Sequence, residues 1–201
     1  TLPDGKVPLA PDNNPTKPEK EERFTDLTAA EWARDSVERL YAAGALPAAA
    51  QFRPNDSVTR EEFVKLMVES FGLTKGASAT EFADVAADSW YAPYVAVVQS
   101  MGIVTGYEDG RFGVGEQITR QDMAVMLSRM LEILDVKLSE GNAEPFTDDG
   151  EISGYARSAV YLMRQAGVIN GHDDGSFGPL QNASRAQAAK VLCGLLDLLA
   201  R

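Results

Sequence analysis

Thr59-Arg60-Glu61-Glu62, Thr119-Arg120-Gln121-Asp122 and Ser184-Arg185-Ala186-Gln187 are three copies of one helix start. A hydroxyl residue stands where an N-cap is wanted, and an acid or amide follows three residues later. That is the capping-box pattern, in which two orphan backbone donors are satisfied reciprocally. The arginine between them is left over. The first turn of a helix carries the positive end of the dipole, so a cation there is unfavourable by about 0.3–1 kcal/mol. Three helices opening on the same unfavourable charge mark three places prepared for something negative.

Outward from these starts the whole chain repeats. Phe24-Thr25-Asp26, Phe82-Ala83-Asp84 and Phe146-Thr147-Asp148 open the copies, and an aromatic follows each: Trp32, Trp90 and Tyr155. Val37, Val95 and Val160 come five residues after the aromatics, and Gly44, Gly102 and Gly167 seven residues later. Phe52, Phe112 and Phe177 each precede the hydroxyl-Arg pair by seven residues. Identical spacing in three copies makes this a repeat architecture. The copies run over 24–81, 82–145 and 146–201.

Each copy reads as helix, loop, helix. Ala33, Val37, Leu40 and Tyr41 recur at helical spacing in the first helix of the first copy. The glycine after that helix suits a left-handed C-cap. Phe63, Leu66, Met67 and Ser70 lie along the second helix; Met123, Met126, Leu127, Met130, Leu131 and Leu134 do so in the second copy. Val191, Leu192, Leu195, Leu196 and Leu199 do so in the third. One two-helix unit cannot bury such a stripe, but three can against each other. The predicted fold is therefore mainly all-α, a closed threefold bundle. Asp109-Gly110 and Asp174-Gly175 are turn signals that allow short hairpins in the second and third loops, whereas the first, Leu46 to Phe52, is two residues shorter.

Composition limits what such a bundle can do. Residues 1–23 hold five of the ten prolines, at Pro3, Pro8, Pro11, Pro15 and Pro18, and read as the end of an extended inter-domain linker. The chain begins at Thr1 without Met or leader, and Leu195–Arg201 reads as a C-terminus; a larger upstream domain is expected. A net charge of -11 argues against nucleic acid, and no apolar run is long enough for membrane insertion. The single cysteine, Cys193, lies in an apolar stripe and reads as core. With His172 the only histidine, neither a Cys/His metal site nor a Ser-His-Asp triad can be built, so no metal, cofactor or catalytic residue is expected.

Phe-x-Asp, then Trp, then Gly-Ile/Val-x-x-Gly-x-x-Asp-Gly-x-Phe, then Thr-Arg-x-Glu/Asp resembles the surface-layer homology (SLH) repeat, over residues 24–199. The resemblance implies a pseudo-threefold, three-pronged helical spindle with ligand grooves between prongs. It implies non-covalent anchoring of a larger protein to the bacterial cell wall, outside the cell. The ligand implied is a secondary cell wall polymer, typically ending in pyruvylated N-acetylmannosamine. A protein partner or peptidoglycan is the alternative.

The residue chemistry suits that ligand. A pyruvate ketal carries a carboxylate, which a helix N-terminus with free backbone donors favours. The guanidinium forks of Arg60, Arg120 and Arg185 fit a carboxylate bidentately. Trp32, Trp90 and Tyr155 offer rings to sugar C–H faces. Gly106 and Gly171 would let the backbone approach a sugar. Asp26, Asp84 and Asp148 belong to the same candidate site, either as ligand contacts or as structural partners of the arginines. The aromatics could alternatively be core residues, and the glycines turn residues. Each arginine is expected to face the aromatic of the next copy: Arg60 with Trp90, Arg120 with Tyr155 and Arg185 with Trp32.

Overall fold

A computed structural model describes residues 23–73, 79–136 and 144–200. The proline-rich segment lies outside the described residues, except for its last residue. Among the described residues the regular structure is six α-helices and two short 3-10 helices, with no strand beyond isolated bridges. The all-α expectation holds. The helices are α1 (Arg34–Ala42), α2 (Arg60–Ser70), α3 (Ala92–Ser100), α4 (Arg120–Ile133), α5 (Arg157–Gln165) and α6 (Arg185–Leu199). The 3-10 helices span Leu27–Ala33 and Asp149–Glu151.

The second helix of each copy starts on a side-chain cap. Thr59 accepts from Glu62 N–H, and Glu62 accepts from the Thr59 N–H, closing a full capping box; Ser184 and Gln187 do the same. The second copy departs from the expected box. Thr119 accepts from Asp122 N–H, but its hydroxyl donates to Asp122 Oδ2 at 2.8 Å. The Asp side chain is one methylene shorter than Glu, too short to reach back to the cap N–H. Gly44, Gly102 and Gly167 end α1, α3 and α5 with φ of +78°, +76° and +69°, the left-handed stop that the sequence suggested.

The helices pair across copies. α3 packs on α2, α5 on α4 and α1 on α6, so each prong contains the second helix of one copy and the first helix of the next. The ring closes where Arg39 donates twice to Asp197, at 3.1 and 2.8 Å, and Cys193 Sγ lies 3.4 Å from the Ser36 carbonyl. Cys193 is buried, as its place in the stripe indicated.

At the centre the three copies exchange backbone hydrogen bonds in a cycle. Val58 N–H donates to Ala183 O, Ala183 N–H to Ile118 O, and Ile118 N–H to Val58 O, all at 2.9–3.0 Å. All three residues are fully buried. A second cycle surrounds the first: Arg60 N–H donates to Glu116 O, Arg120 N–H to Gln181 O, and Arg185 N–H to Asp56 O, each at 2.9 Å. These bonds satisfy buried main-chain groups that no helix or sheet serves. They also fix each capping helix to the following copy.

The opening motif of each copy clamps that copy's own loop. Asp26 accepts from the N–H groups of Phe52 and Arg53, and Asp148 from those of Phe177 and Gly178. Asp84 accepts from Phe112, Gly113 and Val114. Burial pushes the Asp84 carboxyl up, but the three N–H donors hold it below the usual carboxylate range. The paired rings follow: Phe24 meets Phe52, Phe82 meets Phe112 and Phe146 meets Phe177, with centroids 5.3–5.8 Å apart. The hairpins allowed by the sequence reduce to tight turns, closed by Tyr107 N–H to Arg111 O and His172 N–H to Ser176 O.

Candidate functional site

The three arginines occupy equivalent places. Arg60 Nε donates to Phe112 O, Arg120 Nε to Phe177 O and Arg185 Nε to Phe52 O, at 2.7–2.9 Å. Each guanidinium also lies about 5 Å over the ring of that phenylalanine. Arg60 and Arg120 are only 5 % and 6 % exposed. Burial draws Arg120 and Arg185 below the ordinary arginine value. Each arginine is thus a structural pin that reaches from one copy into the loop of the next, with its Nη edge left for other work.

Those Nη edges differ. Arg60 Nη1 lies 3.5 Å from Asp122, and Arg185 Nη1 lies 3.7 Å from Glu62. The residue in the same register opposite Arg120 is Gln187, which carries no charge. Arg120 Nη2 donates to Asn170 O at 3.2 Å, and its Nη1 has no acceptor among the described residues.

Among the described residues, the Arg60 and Arg120 junctions open into cavities of the same construction. One, of about 410 Å³, is lined by Arg60, the 103–108 loop, Asp122, Arg129 and Tyr155. The other, of about 290 Å³, is lined by Arg120, the 167–172 loop, Gln187, Lys190 and Trp32. Each groove therefore takes its arginine from one copy, its loop and helix from the next, and its aromatic from the one after.

That geometry corrects the expected pairing. Arg60 shares a cavity with Tyr155 rather than Trp90, and Arg120 with Trp32 rather than Tyr155. The cause is the cyclic hydrogen bonding, which points each arginine forward into the following copy. The aromatic of that copy sits behind, on the preceding prong. The third junction keeps the same order. Arg185 Nη1 lies 3.7 Å from Glu62 on α2, and the Trp90 ring lies 6.0 Å from Lys65 Nζ on that helix, while Trp32 lines the Arg120 cavity.

The aromatics are surface residues. Trp32 is 55 % exposed, Trp90 53 % and Tyr155 64 %. That decides between core packing and groove lining in favour of the groove for Trp32 and Tyr155. Tyr155 is fixed there: its hydroxyl donates to Asp122 Oδ1 at 2.8 Å and accepts from Gln121 Nε2 at 3.0 Å. Burial, then the bond to Asp122, pushes its phenol far above the ordinary tyrosine value.

Other candidate residues serve the fold more than the groove. The carboxylates of Asp26, Asp84 and Asp148 face backbone N–H groups of their own loops. The helix N-termini are not open anion sites, because their first N–H groups are taken by Glu116, Gln181 and Asp56 and their third by the caps. Gly106 and Gly171 border the cavities, but a Cβ at Gly106 would lie 2.3 Å from Phe82 Cε1, and one at Gly171 2.7 Å from Phe146 Cε1. Their small size makes room for the clamp phenylalanines. Gly113 makes room for the arginine: its Cβ would lie 3.1 Å from Arg60 Cδ and 2.8 Å from Tyr107 Cε2. In the first copy the same place is held by Arg53, with φ +59°.

Sequence reading missed Tyr107, His172, Asp122 and Gln187 as groove residues. Tyr107 covers Arg60, with the guanidinium carbon 4.9 Å from its ring centroid, and His172 takes the same place in the other loop. The N3 residues were read only as caps, although their variation from Glu to Asp to Gln was the available signal.

The chain belongs to the S-layer homology domain family, whose model matches residues 23–64, 81–124 and 145–189. An amylopullulanase of Thermoanaerobacterium thermosulfurigenes is 32 % identical over 183 residues, 89 % of this chain and 10 % of that protein. An endoglucanase of Bacillus sp. (strain KSM-635) is 32 % identical over 193 residues, 94 % of this chain and 20 % of that protein. An S-layer protein of Bacillus thuringiensis subsp. finitimus is 27 % identical over 172 residues, 84 % of this chain and 21 % of that protein. The chain thus spans only a tenth to about a fifth of the length of these relatives. As a member of this family it is an anchoring module of the bacterial cell wall and surface. Among the described residues no helix is long and apolar enough to cross a membrane.

Proposed function

We propose that this module tethers a larger surface protein to the wall by holding the terminus of a secondary cell wall polymer in the grooves between copies. The ligand is a glycan whose terminal sugar carries a carboxylate, of the pyruvylated N-acetylmannosamine type. One observation carries this reading: an exposed aromatic and a buried arginine line a single cavity, and the arrangement occurs twice among the described residues. The ring takes the apolar sugar face, and a guanidinium edge that no acid already holds takes the anion. The arginine is already ordered by its bond to a backbone carbonyl, so binding costs little side-chain entropy. A cavity of about 300–400 Å³ suits one or two sugar units.

The test is sedimentation with purified cell-wall sacculi before and after acid removal of the polymer. Binding to intact sacculi and its loss after acid treatment support the reading. Undiminished binding after treatment points to peptidoglycan or a protein partner instead.

A further inference from the structure

The two grooves share a plan but not a charge. The Arg60 groove is bordered by Arg60 and Arg129 and also by Asp122 and Glu108. Asp122 sits 3.5 Å from Arg60 Nη1, and Tyr107 covers that guanidinium. The Arg120 groove is bordered by Arg120, Lys190 and His172 and by no acid. The nearest charge opposing Arg120 is Asp148, whose oxygens already accept from Phe177 and Gly178. Asp84 stands in the same relation to the loop that Arg60 pins, so this contribution does not separate the grooves.

Two polar groups at the Arg120 groove lack partners. Arg120 Nη1 has no acceptor among the described residues, and His172 Nε2 is buried with no hydrogen bond. The cost of an unmade buried hydrogen bond falls on His172 Nε2, which a ligand would complete, whereas Arg120 Nη1 is not buried in this way. At the position that faces the arginine the difference is one side chain: Glu62, Asp122 and Gln187 share a register, and only Gln187 is neutral.

We propose that the Arg120–Trp32 groove is the anion-selective groove, taking the carboxylate-bearing sugar, and that Gln187 sets this selectivity by leaving Arg120 uncompensated. The Arg60–Tyr155 groove, with Asp122 seated on its arginine, takes uncharged sugar. This rests on the reading that the grooves hold the wall glycan.

Calorimetric titration tests it with two probes: the methyl glycoside of pyruvylated N-acetylmannosamine, and its uncharged methyl ester. The unaltered protein is expected to bind the acid at least tenfold more tightly than the ester. Gln187→Glu is expected to weaken the acid at least tenfold and so to narrow the difference between acid and ester. Glu62 already makes the same capping box in the first copy, so this variant keeps its helix start. Should it fail to fold, Lys190→Gln, at an exposed position on the same groove, is expected to weaken the acid about threefold, and an unchanged acid affinity there also overturns the proposal. Equal binding of acid and ester, or a Gln187→Glu protein that binds the acid as before, overturns the proposal. If the protein still sediments with polymer-bearing sacculi, only the groove assignment falls. If it binds neither probe nor sacculi, both readings fall.

Discussion

Arg60 Nε donates to the carbonyl oxygen of Phe112 at 2.9 Å, crossing from the first copy to the second. The bond is buried, so the arginine is part of the fold before it is part of any site. Arg60→Ala is expected to lose about 2 kcal/mol of stability, because it leaves a buried carbonyl unpaired and a gap over two rings. Urea unfolding measures this directly. A midpoint unchanged from the unaltered protein would contradict the pin. Loss of wall binding in Arg60→Ala alone therefore says little about ligand contact, and the exposed groove residues give the cleaner test.

Trp32→Ala removes an exposed ring at a groove rim. Its stability is expected to stay within about 0.5 kcal/mol of the unaltered protein. Its affinity for polymer-bearing sacculi is expected to fall about tenfold, the worth of one aromatic platform. Sedimentation and thermal unfolding on the same preparation separate the two quantities.

Asp84 predicts an acid-dependent stability. Its folded carboxyl titrates below its unfolded value, so its stabilisation is complete above the ordinary aspartate range, about pH 4. It is lost as pH falls through the lower folded value. Asp84→Asn turns an amide donor toward backbone donors and is expected to cost about 2 kcal/mol at pH 7, reduced by the solvent that reaches this carboxylate. The difference between the two proteins should shrink steadily below pH 4. A gap that stays constant down to pH 2 would refute the clamp.

Gly106 and Gly110 make a matched pair. Both have positive φ, +73° and +79°, but only a Cβ at Gly106 meets a ring and a carbonyl. Gly110→Ala is expected to cost about 1 kcal/mol, the left-handed strain alone. Gly106→Ala adds overpacking against Phe82 and should cost a further 1–3 kcal/mol, roughly. Denaturant unfolding of the two variants decides the order.

Much of this molecule was legible in its residues. The spacing of Trp32, Val37 and Gly44 and its two echoes predicted helices, glycine stops and a threefold closure, and all are present. The partnering of helices was not legible. Periodicity says that α2 has an apolar face but not whether α1 or α3 covers it. The grouping of Arg60 with Tyr155 was hidden for the same reason, since it depends on the Val58–Ala183–Ile118 backbone cycle, which leaves no trace in side-chain pattern. The clamp role of Asp84 was hidden because a carboxylate that binds a sugar and one that binds an N–H look alike in sequence. Conversely, the exposure of Trp32 and Tyr155 follows from their place just ahead of the first helix, outside the apolar stripe.

A crystal of the chain with the terminal disaccharide of the polymer tests groove recognition most directly. The sugar ring is predicted to lie against Trp32, with its carboxylate within hydrogen-bonding distance of Arg120 Nη1. Sugar density on another face of the spindle, with both grooves empty, would contradict it.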